Sequence, residues 1–296
     1  MLARSGSARA RVSREGLPLT SVSGIEGGTQ PMPESASPSA ERRPARIEPD
    51  ERLVVLARTM HAHGSGLETE WKNAATNGVS FGEAYLGRSL YRHRSVFQGS
   101  SDAPVWSHLE LSYFRDIVPV CAIQELVFNH SADTHLLRAE ILLTTPSAFV
   151  MPRGWQGSTD RPGRQASLEY IDVRPAYLGE YRDIMREYIG PAAAKLVGAD
   201  RIGTFRAMET AAVLHHHPSL NTDWNQLHLC EVDVGSFKGF GQEFDAALRE
   251  ISPDGGFAGV FAGLDRMRTI PRWTFNEPVV EADIAVGQLG AAKRVP

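Results

Sequence analysis

The sequence predicts an α+β fold in which one β-α-β-β-α-β unit is written twice and the two sheets pack face to face. Three observations carry this. WSHLEL at Trp106–Leu111 returns as WNQLHL at Trp224–Leu229, 118 positions later. Strand and helix signals fall in the same order on both sides of a Gly/Pro-rich stretch. The first strand and the tryptophan are 53 positions apart in the first unit (Leu53 to Trp106) and 56 in the second (Leu168 to Trp224).

Period and punctuation justify the elements in turn. LVVLART (Leu53–Thr59) is apolar and β-branched, a buried strand. GLETEWKNAATNG (Gly66–Gly78) has helix formers and stops at glycine. Glu83–Phe97 alternates as a long strand, QGSSDAP marks a turn, and Val105–Phe114 is its hairpin partner. Val118–His130 has helical spacing and Leu136–Thr145 closes the unit. Met151–Arg164 reads as a linker. The order then repeats: strand Ser167–Val173, helix Tyr177–Val197 kinked or broken at Gly190-Pro191, strand Arg201–His215, turn, strand Trp224–Val234, helix Phe240–Ile251, strand Val260–Phe275. The expected domains are a tail over 1–50, units over 51–150 and 166–278 with a linker at 151–165, and a tail over 279–296.

At 296 residues and 42 % hydrophobic content the chain can bury a real core. A formal charge of −4 argues against nucleic acid as a main partner. No apolar run approaches the about 18 residues of a membrane span, so no membrane is expected. Two cysteines, Cys121 and Cys230, form no CxxC pattern, which speaks against a structural zinc or a disulfide framework and for a cytoplasmic setting. The first fifty residues are rich in Arg, Ser, Pro and charge, a composition that cannot offset its own ordering entropy; the opening stretch also has the look of an Arg-rich transit peptide.

A single βαββαβ unit covers one sheet face with helices and leaves the other apolar face in need of a partner. Two such units in one chain supply each other. On this element order, from Arg52 to about Phe275, the chain resembles the dimeric α+β barrel superfamily of ferredoxin-like proteins in tandem-fused form. The second unit is also similar to NIPSNAP proteins in EYIDV, EYRDIMREYIGP, VGADRIGTFRAME and WNQLHLCEVD, departing at LCEVDVG where that family continues into a WRYDS-like stretch. The superfamily resemblance implies a ligand cavity between the sheet and the helices of each unit. In several relatives it implies a haem bound through a helix histidine; His130 ends the corresponding helix here, beside the alternative of a histidine facing the helix dipole.

Strict alternation along the strands puts Trp106, His108, Glu110 and Ser112 on one face, matched by Trp224, Gln226, His228 and Cys230. An aromatic wall with an imidazole and a carboxylate suits a cavity. His108 is the first candidate for proton transfer, with Glu110 on its own face to orient it or carry a second proton. Equally open is a hydrogen-bonded sheet histidine. His228 and Gln226 stand in the second unit as non-equivalent counterparts, and the active site is expected in the first. Tyr91 and His93 from the partner strand complete the pocket candidates. Arg206, Glu209, Glu169 and Asp172 read as ion pairs. His215–His217 sit at a hairpin mouth without a CxxC or HxxE, so no metal site is expected. Neither GxGxxG, GxxxxGK[ST] nor GxSxG stands in a fitting context.

Function then narrows to a class. The leading expectation is an enzyme without organic cofactor, of cyclase, isomerase, dehydratase or cofactor-free monooxygenase type, acting on a hydrophobic oxygenated small molecule of aromatic or polyketide-like character. A haem enzyme and a non-catalytic ligand-binding or scaffold protein are the alternatives. Association of the fused pair into a homodimer stays open.

Overall fold

The structure, a computed structural model, describes residues 44–46, 52–63, 66–76, 81–99, 106–128, 134–152, 163–220, 222–233, 239–252 and 255–282. All belong to the compact body Ala40–Pro296; the expected tail up to residue 43, the tail beyond Ala282 and His130 lie outside them.

The first repeat comprises β2 (Val54–Ala62), α1 (Gly66–Thr76), β3 (Tyr85–Gly99), β4 (His108–Phe114), α2 (Val120–Ile123) continuing into a π turn over Gln124–Phe128, and β5 (Thr134–Pro152). The second comprises β6 (Arg164–Val173), α3 (Leu178–Ile184), a π turn over Met185–Ile189, α4 (Gly190–Gly198), β7 (Phe205–His216), β8 (Gln226–Asp233), α5 (Phe240–Ile251), α6 (Gly256–Met267) and β9 (Arg268–Ala282). Each repeat orders its strands as last, first, third, second, which is the ferredoxin-like arrangement.

The sheets do more than stack. β3 of the first repeat pairs with β9 of the second, and β5 of the first pairs with β7 of the second. Eight antiparallel strands therefore close on themselves as an intramolecular α+β barrel, which removes the exposed edges an open sheet would present. A short β1 (Pro44–Arg46) joins β5 within the stretch read as tail.

Alternation sorts the strands into two cores. Inward residues of both repeats, among them Val55, Leu109, Leu111, Leu168, Leu227 and Leu229, share one cluster inside the barrel. Outward residues pack beneath each repeat's own helices. Each buried Leu or Val contributes about 1.5–3 kcal/mol to this packing.

The barrel interior also holds charge. Arg206 Nη2 donates to Glu231 Oε1 at 2.7 Å and Nη1 to the hydroxyls of Tyr91 (3.0 Å) and Tyr113 (2.7 Å), all of them without exposure. The two tyrosine hydroxyls offset part of the cost of burying such a pair.

Two elements differ from the sequence reading. Val260–Met267, expected as the start of the last strand, is the second half of α6. Its apolar β-branched and aromatic content mimics a strand, but Phe257, Phe261 and Leu264 recur at helical spacing and pack inward. The helix expected to be kinked or broken at Gly190-Pro191 passes through a π turn into α4, whose first turn accommodates the proline. Gly190 is required there: a Cβ would stand 2.1 Å from the Ser147 carbonyl oxygen of β5. Among the described residues, no helix is long and apolar enough to cross a membrane.

Candidate functional site

Beneath the helices of the second repeat lies a cavity of about 230 Å³. Its floor is the outward face of the sheet: Ser167 and Glu169 from β6, His228 and Cys230 from β8, Arg268 and Trp273 from β9. Its roof is aromatic, made by Phe240 and Phe244 of α5 with Phe257 and Phe261 of α6, and Met185 and Ile189 of the π turn close one side.

The polar groups converge on one patch of floor. Glu169 and His228 are direct partners across the β6–β8 ladder, with Oε2 4.0 Å from Nδ1. His228 Nε2 is buried and has no hydrogen-bond partner. Burial, reinforced by the charge of Arg268, holds the imidazole neutral, its pKa pushed down to about 3. Burial raises the Glu169 carboxyl, with Arg268 opposing. The Cys230 thiol is pushed up by burial and by the nearby Glu169 and Glu231 carboxylates, so it is a neutral wall group. Arg268 Nη1 donates to the Tyr181 hydroxyl at 3.2 Å, and burial pushes that phenol up to about 12. Trp273 Nε1 donates to Ser167 Oγ at 2.7 Å.

The corresponding floor of the first repeat carries a different pair. Arg58 pairs with Glu110 across the β2–β4 ladder and donates to the Leu126 carbonyl. Trp71 Nε1 of α1 donates to Glu110 at 3.1 Å, as does Ser112 Oγ at 3.1 Å. The Arg88 guanidinium lies 3.8 Å over the Trp71 ring. Glu110 is thereby fully buried, with both carboxylate oxygens engaged. His108 shares its face without bonding to it. Its Nε2 lies 3.2 Å from Glu68 Oε1 and its Nδ1 2.9 Å from Ser107 Oγ, while Arg92 Nη1 holds the same Glu68 at 2.8 Å. Burial lowers the His108 pKa against the raising influence of Glu68.

Trp106 and Trp224 are not on the face of His108 and His228. β4 begins at His108 and β8 at Gln226, so the alternation cannot be extended back to the tryptophans. Both indoles turn into the barrel, 5.7 Å apart by centroid, with the Tyr170 ring between them at 4.6 and 4.9 Å. Each is capped by an arginine of the other repeat: Arg272 lies 4.6 Å over Trp106, and Arg138 lies 4.2 Å over Trp224. Tyr91 also faces the barrel, engaged by Arg206, and His93 is lowered by burial and by Arg272 from the same side. These two therefore line no pocket with His108. Gln226 is buried two residues from His228 on the outward face. The histidines at 215–217 bond locally, to the Leu136 and Leu220 carbonyls and to Ser219. Among the described residues, no cluster of His, Cys, Asp or Glu could hold a metal ion.

Arg268 is the cavity group that sequence reasoning passed over; Cys230 was placed on the face of His228 without a role, and Glu169 was read as an ion-pair partner. Glu169 was visible as a carboxylate interrupting SLEYIDV. Arg268 was hidden because α6 read as strand, which removed the roof from view.

Haem, implied for some members of the superfamily, does not fit this cavity. Its volume falls below the about 300–1,000 Å³ of pockets for drug-sized ligands, and a porphyrin is larger than most of those.

No protein-family model matches the chain, and no curated protein matches it. Solved structures do. An anthrone oxidase-like protein is 11 % identical, with 79 % of this chain and 94 % of that chain covered at a TM-score of 0.49. A candidate monooxygenase from Lactobacillus acidophilus NCFM is 11 % identical over 79 % and 97 %, at 0.44. Chlorite dismutase from Candidatus Nitrospira defluvii in complex with imidazole is 9 % identical over 77 % and 92 %, at 0.39. At such scores and identities the fold assignment rests on the strand order itself, and no activity is carried over.

Proposed function

We propose that the chain is a small-molecule enzyme of acid/base type, working without an organic cofactor, with its substrate in the cavity of the second repeat. The observation that supports this is His228 in the floor of an apolar cavity, its Nε2 buried without a hydrogen-bond partner and Glu169 behind its other nitrogen. Size limits the substrate. An engineered apolar cavity of about 150 Å³ holds benzene, so one of about 230 Å³ suits a substituted ring or a small fused pair.

The step is enolisation. A C–H bond beside a substrate carbonyl breaks, the proton passes to His228 Nε2, and the electron pair moves onto the carbonyl oxygen. Glu169 stabilises the imidazolium through Nδ1–H, and the positive field of Arg268 reaches the charge that develops. Return of the proton at another atom gives an isomer; attack of the enolate carbon on a second carbonyl closes a ring.

One observation favours a binding role without turnover. A histidine pushed down to about 3 is a weak base at neutral pH, far from the match that proton transfer prefers.

Native mass spectrometry of protein purified from its own host tests the reading. The expected result is a co-purified small oxygenated molecule that Cys230→Phe excludes and Ser112→Phe does not. The reverse pattern would overturn it, as would a haem mass with a Soret band.

A further inference from the structure

We propose that the molecule taken by this cavity is an aromatic carboxylate, its acid group paired with Arg268 and its ring held by the phenylalanine roof. This rests on the reading of the cavity as the ligand site.

Arg268 is a cation at 7 % exposure in a mostly apolar chamber. Among the described residues it has no carboxylate within ion-pair distance. The carboxyls whose fields reach it are Glu169 and Asp265, both beyond that range. Its described hydrogen bond, from Nη1 to the Tyr181 hydroxyl, is to a neutral group. Nε is buried without a partner. Tyr181 takes Nη1 and Nε is closed off from the chamber, so Nη2 is the donor that remains for a carboxylate oxygen. Burial opposes the Arg268 cation while Tyr181, Glu169 and Asp265 favour it, and an anion in contact adds to the favourable side.

The rest of the chamber selects the body of the ligand. Phe257 and Phe261 stack at 4.0 Å with 15° between their planes, and Phe244 meets both edge-on. Arg268 itself lies 5.8 Å over the Phe261 ring, so the acid-binding group and the aromatic roof adjoin. A flat ring with an acid at one end spans the two. Pairing at Arg268 leaves His228 Nε2 free for the reacting atom.

Calorimetric titration of the full chain with 2-naphthoate and with its uncharged isostere 2-naphthamide tests this. A charge-assisted hydrogen bond at a buried site predicts naphthoate tighter by about 10-fold or more. Arg268→Gln should bring the two within about 2-fold while both still bind, and Arg268→Lys should restore part of the preference. If the amide binds the unaltered chain as tightly as the acid, the carboxylate assignment falls and the cavity reading stands. If neither binds at millimolar concentration, both fall. The comparison on the unaltered chain decides the matter even if a variant does not fold.

Discussion

The two repeats put different chemistry at one pair of positions. Where the first repeat has Arg58 opposite Glu110, the second has Glu169 opposite His228. In the first, the pair neutralises itself and Trp71 descends onto it. In the second, a carboxyl and a neutral imidazole do not saturate each other. The helices above carry phenylalanines that form a roof, and a hollow remains. Both units present such a floor; an ion pair occupies one, and an unsatisfied pair in the other stays available to a ligand.

The largest effect should come from breaking the ion-paired side. Arg58→Met strands Glu110 as a buried charge and should lower unfolding free energy by about 3–5 kcal/mol in urea titration. It should leave ligand affinity in the second repeat unchanged.

Acid should act mainly on the open side. The His228 pKa lies near 3 in the folded chain against an ordinary 6.5, so the unfolded chain binds the extra proton between those values. Stability is therefore lost as pH falls through that window, at up to about 1.4 kcal/mol per pH unit from this group. Glu169 works in the opposite sense: its raised pKa favours the folded form below its folded pKa, and that gain is lost as pH rises above 4.5. His228→Gln should flatten the acid limb when urea midpoints are compared at pH 4 and pH 7.

Ser112 and Cys230 occupy matching positions, and the same enlargement should have opposite signs. Ser112→Phe overpacks a fully buried position and removes a bond to Glu110, costing about 1–3 kcal/mol. Cys230→Phe enters a hollow and should stabilise by about 0.5–2 kcal/mol while excluding ligand. Equal losses at both positions would dissolve the contrast.

The smallest difference lies inside the barrel. Trp224→Phe and Trp106→Phe each weaken a stack with an arginine, worth about 0.5–2 kcal/mol. Trp224 also donates from Nε1 to Glu140 at 2.8 Å, so its loss should exceed that of Trp106 by about 1 kcal/mol.

Much of the fold was legible because alternation and repetition are local signals. The strand order, the doubling and the outward direction of His108, Glu110 and His228 all follow from period-2 reading. Trp106 and Trp224 escaped because two residues ahead of a strand the pleat no longer dictates direction. Their doubling reflects a reciprocal lock between repeats, each ring under the other repeat's arginine. The choice of repeat could not be read from WSHLEL, because a strand does not record what lies above it. Trp71, on a helix 39 residues away from the carboxylate it meets, covers one floor; α6, whose composition imitates a strand, roofs the other.

The central claim is that the sheet–helix space open to a ligand belongs to the second repeat and not the first, and a crystal pressurised with xenon reads it directly, since apolar cavities take up that gas. Xenon density beside Phe244, Phe261 and Leu264, with none beneath Trp71, is the predicted result. Xenon beneath Trp71, or an empty second repeat, would contradict the account.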